Sequence, residues 1–248
     1  MQKDIIGIIL KDRDYGESSK ILDVLTKEYG IIGVISKGSK KIKSNLSGVS
    51  SKLAYGTFHI YYKEGKLSTL TNADIINPFI NIKSNIVSIS FASYLSELTF
   101  QVVKQSNQSD EIFDLFIEGL KKINESYNPM VITNILELKY LDYLGVGPML
   151  DSCSICGSKT DIVTLSSSSN GLVCKDCKTN ERIYDLKTIK YLRMYKYLDV
   201  SKISKIDMDK NIIEEINRFL NEYYEHHTGI YLNSKKFIDD LRKVDLYN

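Results

Sequence analysis

The chain is 248 residues long and 43% hydrophobic, which suits one large domain or two of ordinary size and excludes a disordered or fibrous polymer. Its 33 basic and 31 acidic residues leave a formal charge of +2, so any nucleic-acid footprint has to be local. The apolar run Ile5 to Leu10 is too short for a signal-peptide core, and no later segment approaches the roughly 18 apolar residues of a membrane span; a cytoplasmic protein without membrane contact is expected.

From Lys3 to Asp74, short runs rich in Ile, Val, Tyr and Thr are punctuated by Gly16, Gly30, Gly38, Gly56 and Gly65. The pattern predicts five strands, at residues 4 to 12, 20 to 28, 31 to 37, 54 to 62 and 67 to 74, the last two joined through Lys63-Glu64-Gly65-Lys66. Strands of this number and length suit a small barrel.

Between Glu28 and Glu64 there is no carboxylate, while Lys37, Lys40, Lys41, Lys43, Lys52 and Lys63 are all present. The stretch Lys37 to Asn45 reads as a flexible basic loop leaving the third strand, with glycine, serine and asparagine that let backbone amides approach phosphates. Lys37, Lys40, Lys41, Lys43 and Lys52 are the candidate DNA contacts, and a merely solvated loop has the same composition. Tyr55, His59 and Tyr61 alternate with Phe58, Ile60 and Tyr62, so one set is core and only the other can stack on bases. Gly33 and Gly38 have P-loop spacing, but Ser39 precedes Lys40 and no helix follows, which discounts ATP hydrolysis.

After Pro78 the period becomes helical, placing a boundary between an N-terminal domain (1–80) and a helical domain (81–248). Val87, Phe91, Tyr94, Leu95, Leu98 and Val102 share one face of a helix over 82 to 105. A second helix carries Ile112 to Ile123, and a third starts at Asn128-Pro129 and ends near Gly145. Further helices are expected at 187 to 197, around Ile212 to Tyr223, and at 234 to 242.

Cys153, Cys156, Cys174 and Cys177 form C-x2-C-x17-C-x2-C, the spacing of a four-thiolate zinc site, with a hairpin through Asn170-Gly171 between the two pairs. A closed site of this kind is structural and organises a segment at about 151–182. A redox dithiol, a rubredoxin-type iron site and two disulfides are the competing readings. The histidines are His59, His226 and His227, the last two closing a helix where positive charge suits the dipole. No acid pair, nucleophile elbow or H-E-x-x-H is present, so a non-catalytic protein is expected. Against a DNA-binding protein stand a protein-interaction scaffold, with the lysines on acidic tails, and a metal-dependent nuclease.

Gly16-Glu17-Ser18-Ser19-Lys20, Leu25 to Gly30 and Lys37 to Lys41, in that order, resemble the N-terminal domain of bacterial RecO repair proteins. Tyr140 to Cys153 and Gly171 to Cys174 resemble the family's helix end and cysteine signature. The resemblance implies an α+β multidomain chain: a five-stranded oligonucleotide-binding (OB-fold) barrel, then an α-helical domain with a four-cysteine zinc-finger insertion. It implies a cytoplasmic, nucleoid-associated protein that binds single- and double-stranded DNA and anneals complementary strands. With RecR and, in many bacteria, RecF, such proteins help RecA replace single-stranded DNA-binding protein on DNA, engaging that protein's C-terminal tail. The four cysteine ligands of structural Zn2+ carry over, as do Lys37, Lys40 and Lys41, whereas Lys43 and Lys52 are added on charge alone. Arg13 is the only arginine in the first 80 residues, which favours point-charge over bidentate phosphate contacts.

Overall fold

β-Branched and aromatic residues alternate with small and polar ones through five strands: β1 (Gln2–Tyr15), β2 (Ser19–Thr26), β3 (Gly30–Ser36), β4 (Tyr55–Tyr61) and β5 (Ser68–Asn77). The computed structural model describes residues 1–204 and 206–243. β1 pairs antiparallel with β2 from Gly7↔Thr26 to Tyr15↔Ser19 and with β4 from Gln2↔Tyr61 to Ile8↔Tyr55. β2 pairs with β3 and β4 with β5, both antiparallel, whereas β3 and β5 run parallel and meet only at Val34↔Ser68 and Ile35↔Thr69. The order β1-β2-β3-β5-β4 thus closes on itself.

Ile5, Ile9, Leu22, Val24, Val34, Phe58, Ile60 and Leu70 fill the inside. Burial of Phe58 and Ile60 settles the alternation in β4: Tyr55, His59 and Tyr61 face outward. His59 links three strands, with Nδ1 2.6 Å from Asp4 of β1 and Nε2 2.8 Å from Asp74 of β5. Hydrogen bonds to Asp74 and then Asp4 raise its pKa above the usual value, favouring the imidazolium that can donate to both.

The single helix expected over 82 to 105 is two, α1 (Ile80–Ser84) and α2 (Ile86–Gln105). Asn85 interrupts the run with extended backbone, and its side chain caps α2 by accepting from the Ser88 N–H at 2.9 Å. By length and mean hydropathy (1.4) α2 is apolar enough to cross a membrane, contrary to the sequence expectation. With 61% of that window buried it is a core helix, its apolar residues spent on packing. It covers the outer face of β1, where Ile8 and Leu10 are fully buried and the Ser96 hydroxyl donates to the Leu10 carbonyl at 2.8 Å.

The chain forms two compact units. The first takes Met1–Asn124 and the segment from Leu232, and so holds the closed sheet, α1, α2, α3 (Ser109–Asn124) and α7 (Asn233–Lys243). The second, Glu125–Tyr231, holds α4 (Pro129–Tyr143), the hairpin β6 (Ile162–Ser166) and β7 (Gly171–Cys174), α5 (Leu186–Tyr197), a 3-10 turn at Val200–Lys202 and α6 (Lys210–His227). The change from strand to helix near residue 80 falls inside the first unit. Within the second, Asn128 caps α4 by accepting from Met130 and Val131 at 3.0 and 3.3 Å, with Pro129 in the first turn.

Close approach of strands fixes Gly56, where an added Cβ would lie 2.3 Å from the Asp74 carbonyl oxygen. Gly56→Ala has to push β4 from β5, and a loss of roughly 1–3 kcal/mol is expected in urea unfolding. An unchanged midpoint would mean the two strands can part there at no cost.

Candidate metal centre and nucleic-acid interface

The second unit brings all four cysteines together. Their sulfurs lie within 4.8 Å of one another, with Cys156 and Cys174 3.7 Å apart. One pair sits on the knuckle after α4, where Cys153 N–H donates to Ser158 and Gly157 N–H to Cys153 at 2.7 and 2.9 Å. The other closes β7. The knuckle and the hairpin are stitched by Met149 N–H to Asn170, Leu172 N–H to Met149 and Ser154 N–H to Leu172, at 2.8, 2.9 and 2.8 Å. Gly171 permits this approach, having φ 141° and Met149 O 2.2 Å from where a Cβ would stand.

Four thiols this close cannot all ionise unaided. Burial opposes the thiolate at Cys153, yet backbone N–H groups of Cys156, Cys174 and Ile155 outweigh it and hold that thiol down at about 6. Cys177, facing the sulfurs of Cys156 and Cys174, is pushed up to about 12. A cation at the centre removes this conflict by stabilising all four thiolates, so the donor set fits a metal ion.

The serine-rich turn at the hairpin tip is held more firmly than its composition implies. Ser166 and Ser167 are buried, His226 Nδ1 lies 3.1 Å from the Ser167 hydroxyl, and His227 Nε2 lies 2.6 Å from the Ser167 carbonyl. The two histidines therefore clamp the turn as well as ending α6, a role their sequence position does not reveal. Tyr223 joins them, its hydroxyl 2.6 Å from Asn170 Oδ1.

The basic segment after β3 is a series of hydrogen-bonded turns: Lys41 N–H to Gly38, Ser44 N–H to Lys41 and Ser47 N–H to Ser44, at 3.1, 3.0 and 3.2 Å. Leu46 and Val49 pack against the sheet core, and a buried Ser36–Ser50 hydroxyl contact of 2.7 Å ties its ends. Lys37, Lys41 and Lys43 are exposed. Lys40, also exposed, forms an ion pair with Asp14 and holds the β1–β2 turn through its N–H to Ser18 at 2.9 Å. Lys52 is turned inward: its ammonium donates to the Ser93 carbonyl at 3.2 Å, and burial lowers its pKa.

Tyr62, one of the aromatics singled out in the sequence, meets two residues that the sequence did not link to it, Tyr29 and Lys3. Tyr29 and Tyr62 lie with ring centroids 5.1 Å apart, and Lys3 Nζ sits 4.4 and 4.5 Å from them. The signal available was Tyr29 directly before Gly30, whose positive φ of 61° turns the chain into β3. Of the outward residues of β4, Tyr61 is 52% exposed, while Tyr55 packs on Phe79 and Phe113.

The chain is similar throughout to one set of proteins. The family model described as Recombination protein O N terminal matches residues 1–79, and Recombination protein O C terminal matches residues 83–236. The DNA repair protein RecO of Bacillus pumilus (strain SAFR-032) is 34% identical over 242 residues, 96% of this chain and 94% of that protein. Those of Listeria monocytogenes serotype 4b (strain CLIP80459) and Bacillus subtilis (strain 168) are 33% and 34% identical over 241 residues, with the same coverage.

Because the four ligands are local in sequence, Cys156→Ser or a strong chelator should release about one metal ion per chain and open residues 151 to 182 to limited proteolysis, leaving the closed sheet intact. Native mass spectrometry and mapping of the cleavage sites check this. Equal cleavage throughout residues 1 to 80 would make the ion a keystone of the whole chain.

Proposed function

The chain belongs to the RecO family of DNA repair proteins, and on that premise we propose that it is a non-catalytic recombination mediator that binds single- and double-stranded DNA and anneals complementary strands. In this reading it works with RecR, and with RecF where present, to help load RecA onto DNA coated by single-stranded DNA-binding protein, whose C-terminal tail it engages. It acts in the cytoplasm, at the nucleoid. The closed five-stranded sheet serves as an OB-fold, and the DNA-binding region corresponds to residues 1–80, followed along the chain by the helical region at 81–248.

The observation that carries this reading is the carboxylate-free basic segment with Lys37, Lys41 and Lys43 exposed on ordered turns. Lysines there replace counterions on phosphate, a gain that does not depend on sequence and that lowers the repulsion between two strands being paired. Lys40 joins them once phosphate displaces Asp14, whereas Lys52 contributes positive potential from a half-buried position.

The cysteine quartet is read as structural zinc held by Cys153, Cys156, Cys174 and Cys177. Zinc–sulfur bonds of about 2.3 Å give a tetrahedron with edges of about 3.8 Å; the Cys156–Cys174 separation of 3.7 Å agrees. Four thiolates leave no open position for water, so the ion organises the hairpin and does no chemistry.

Replacing Lys37, Lys41 and Lys43 by glutamine should weaken binding of a fluorescent single-stranded oligonucleotide and flatten its log–log salt slope by roughly 0.7 per lysine in contact. Thermal stability should hardly change, since exposed lysines contribute little to folding. An unchanged slope with full affinity would move DNA elsewhere and leave the segment as a surface for acidic protein partners.

A further inference from the structure

Burial divides the four cysteines. Cys153 and Cys174 are 1% and 3% exposed, Cys177 is half-buried, and Cys156 stands in solvent at the tip of the knuckle between the exposed Ile155 and Gly157. Gly157 takes a positive φ of 77° with nothing within 4 Å of where a Cβ would stand, so the tip has room to move. Cys153 is held instead: its carbonyl accepts the Gly157 N–H at 2.9 Å, and its sulfur accepts the Cys174 N–H at 3.5 Å. The Cys156 sulfur lies 3.7 Å from that of Cys174, the last residue of β7.

We propose that Cys156 is a site of oxidative modification, where peroxide enters the sulfur cluster and leaves the chain with a disulfide between Cys156 and Cys174. The inference rests on the metal-site reading above and gives the sulfurs a reaction that the ion itself does not perform. Oxidation of cysteine follows thiolate character and exposure. A cation at the centre keeps all four sulfurs as thiolates, so exposure decides among them, and Cys156 has the most.

A lone pair of the Cys156 thiolate attacks one oxygen of hydrogen peroxide, the O–O bond breaks, and hydroxide departs to leave a sulfenic acid on Cys156. The Cys174 thiolate then attacks that sulfur; the S–O bond breaks and a second hydroxide leaves as the S–S bond forms. Two thiolates lose two electrons and one peroxide gains them. Cys153 and Cys177 remain as two donors where a closed site uses four, so the ion is released. The new bond joins the knuckle to β7, the same parts that Met149, Ser154 and Leu172 stitch through their backbones. Oxidation therefore frees Cys177 and the turn around it, residues 175 to 182, whereas stripping the ion from the reduced chain loosens residues 151 to 182.

The test exposes the full chain, loaded with Zn2+, to hydrogen peroxide. In parallel samples a chromogenic chelator reports free ion, dimedone traps sulfenic acid, unreduced peptides are read by mass spectrometry, and limited trypsin digestion maps what opens. Dimedone should mark Cys156, and about one ion per chain should be lost as the Cys156–Cys174 peptide appears. New cuts should be confined to Lys175, Lys178 and Arg182, and dithiothreitol with Zn2+ should reverse the change. Cys156→His keeps four donors and should hold its ion at a peroxide concentration that empties the natural protein. If that variant takes up no ion, the residue that dimedone marks in the natural protein decides alone. Dimedone first on another cysteine, equal loss of ion from Cys156→His, or disulfides confined within each C-x-x-C pair would overturn the modification site and leave the metal reading intact. Failure of the natural chain to take up an ion, seen before peroxide is added, would overturn both.

Discussion

Everything in the first unit depends on β1 being paired along both edges. A strand of 14 residues meets β4 through its first half and β2 through its second, with the irregularity between Ile9 and Lys11 marking the handover. At that point Ile9 bonds to the far end of the basic segment, its N–H to Ala54 and its carbonyl to the Leu53 N–H, at 3.0 and 2.9 Å. A bulge that bends a strand here both closes the sheet and ties down the chain returning from the lysines. The same strand's outer face supplies the apolar surface that α2 covers, so the closed sheet, the basic turns and the covering helix share one cause.

The second unit has a different organising force. Its hairpin of nine strand residues gains some burial from Leu165, Leu172 and Val173, but the four sulfurs at its base cannot all ionise until a cation joins them. The clamp of His226 and His227 on Ser167 secures the opposite end. A sulfur cluster fit to hold a metal ion lies at one end of the segment and a hydrogen-bonded turn at the other. Electrostatics thus organises each unit: an unsatisfied cluster of thiols in one, and in the other an excess of lysines that remains exposed.

What could be read from the sequence was whatever repeats locally. Glycine punctuation and alternation located all five strands, Asn128-Pro129 marked the start of α4, and the two C-x-x-C pairs marked the sulfur cluster. The direction of side chains across long separations was not legible. Lys40 and Lys52 look alike in a lysine count, yet one meets Asp14 from 26 residues away and the other reaches Ser93 on α2. Tyr29 and Tyr62 are 33 positions apart and come together only because β3 and the β4–β5 turn meet at the sheet's thinnest join. Asn85 was missed because its hydrophobic neighbours keep a helical period across the break, and only its cap geometry separates α1 from α2. Nor did the change of period near residue 80 reveal that α2 and α3 pack with the sheet.

On the reading proposed above, DNA is held by the first unit, at the basic turns that follow β3. Amide hydrogen exchange of the full chain, free and saturated with a single-stranded oligonucleotide at low salt, tests it most directly. Slower exchange concentrated in residues 37 to 52 is expected. Protection confined to residues 125 to 231 would overturn it and place the nucleic acid on the unit that carries the four cysteines.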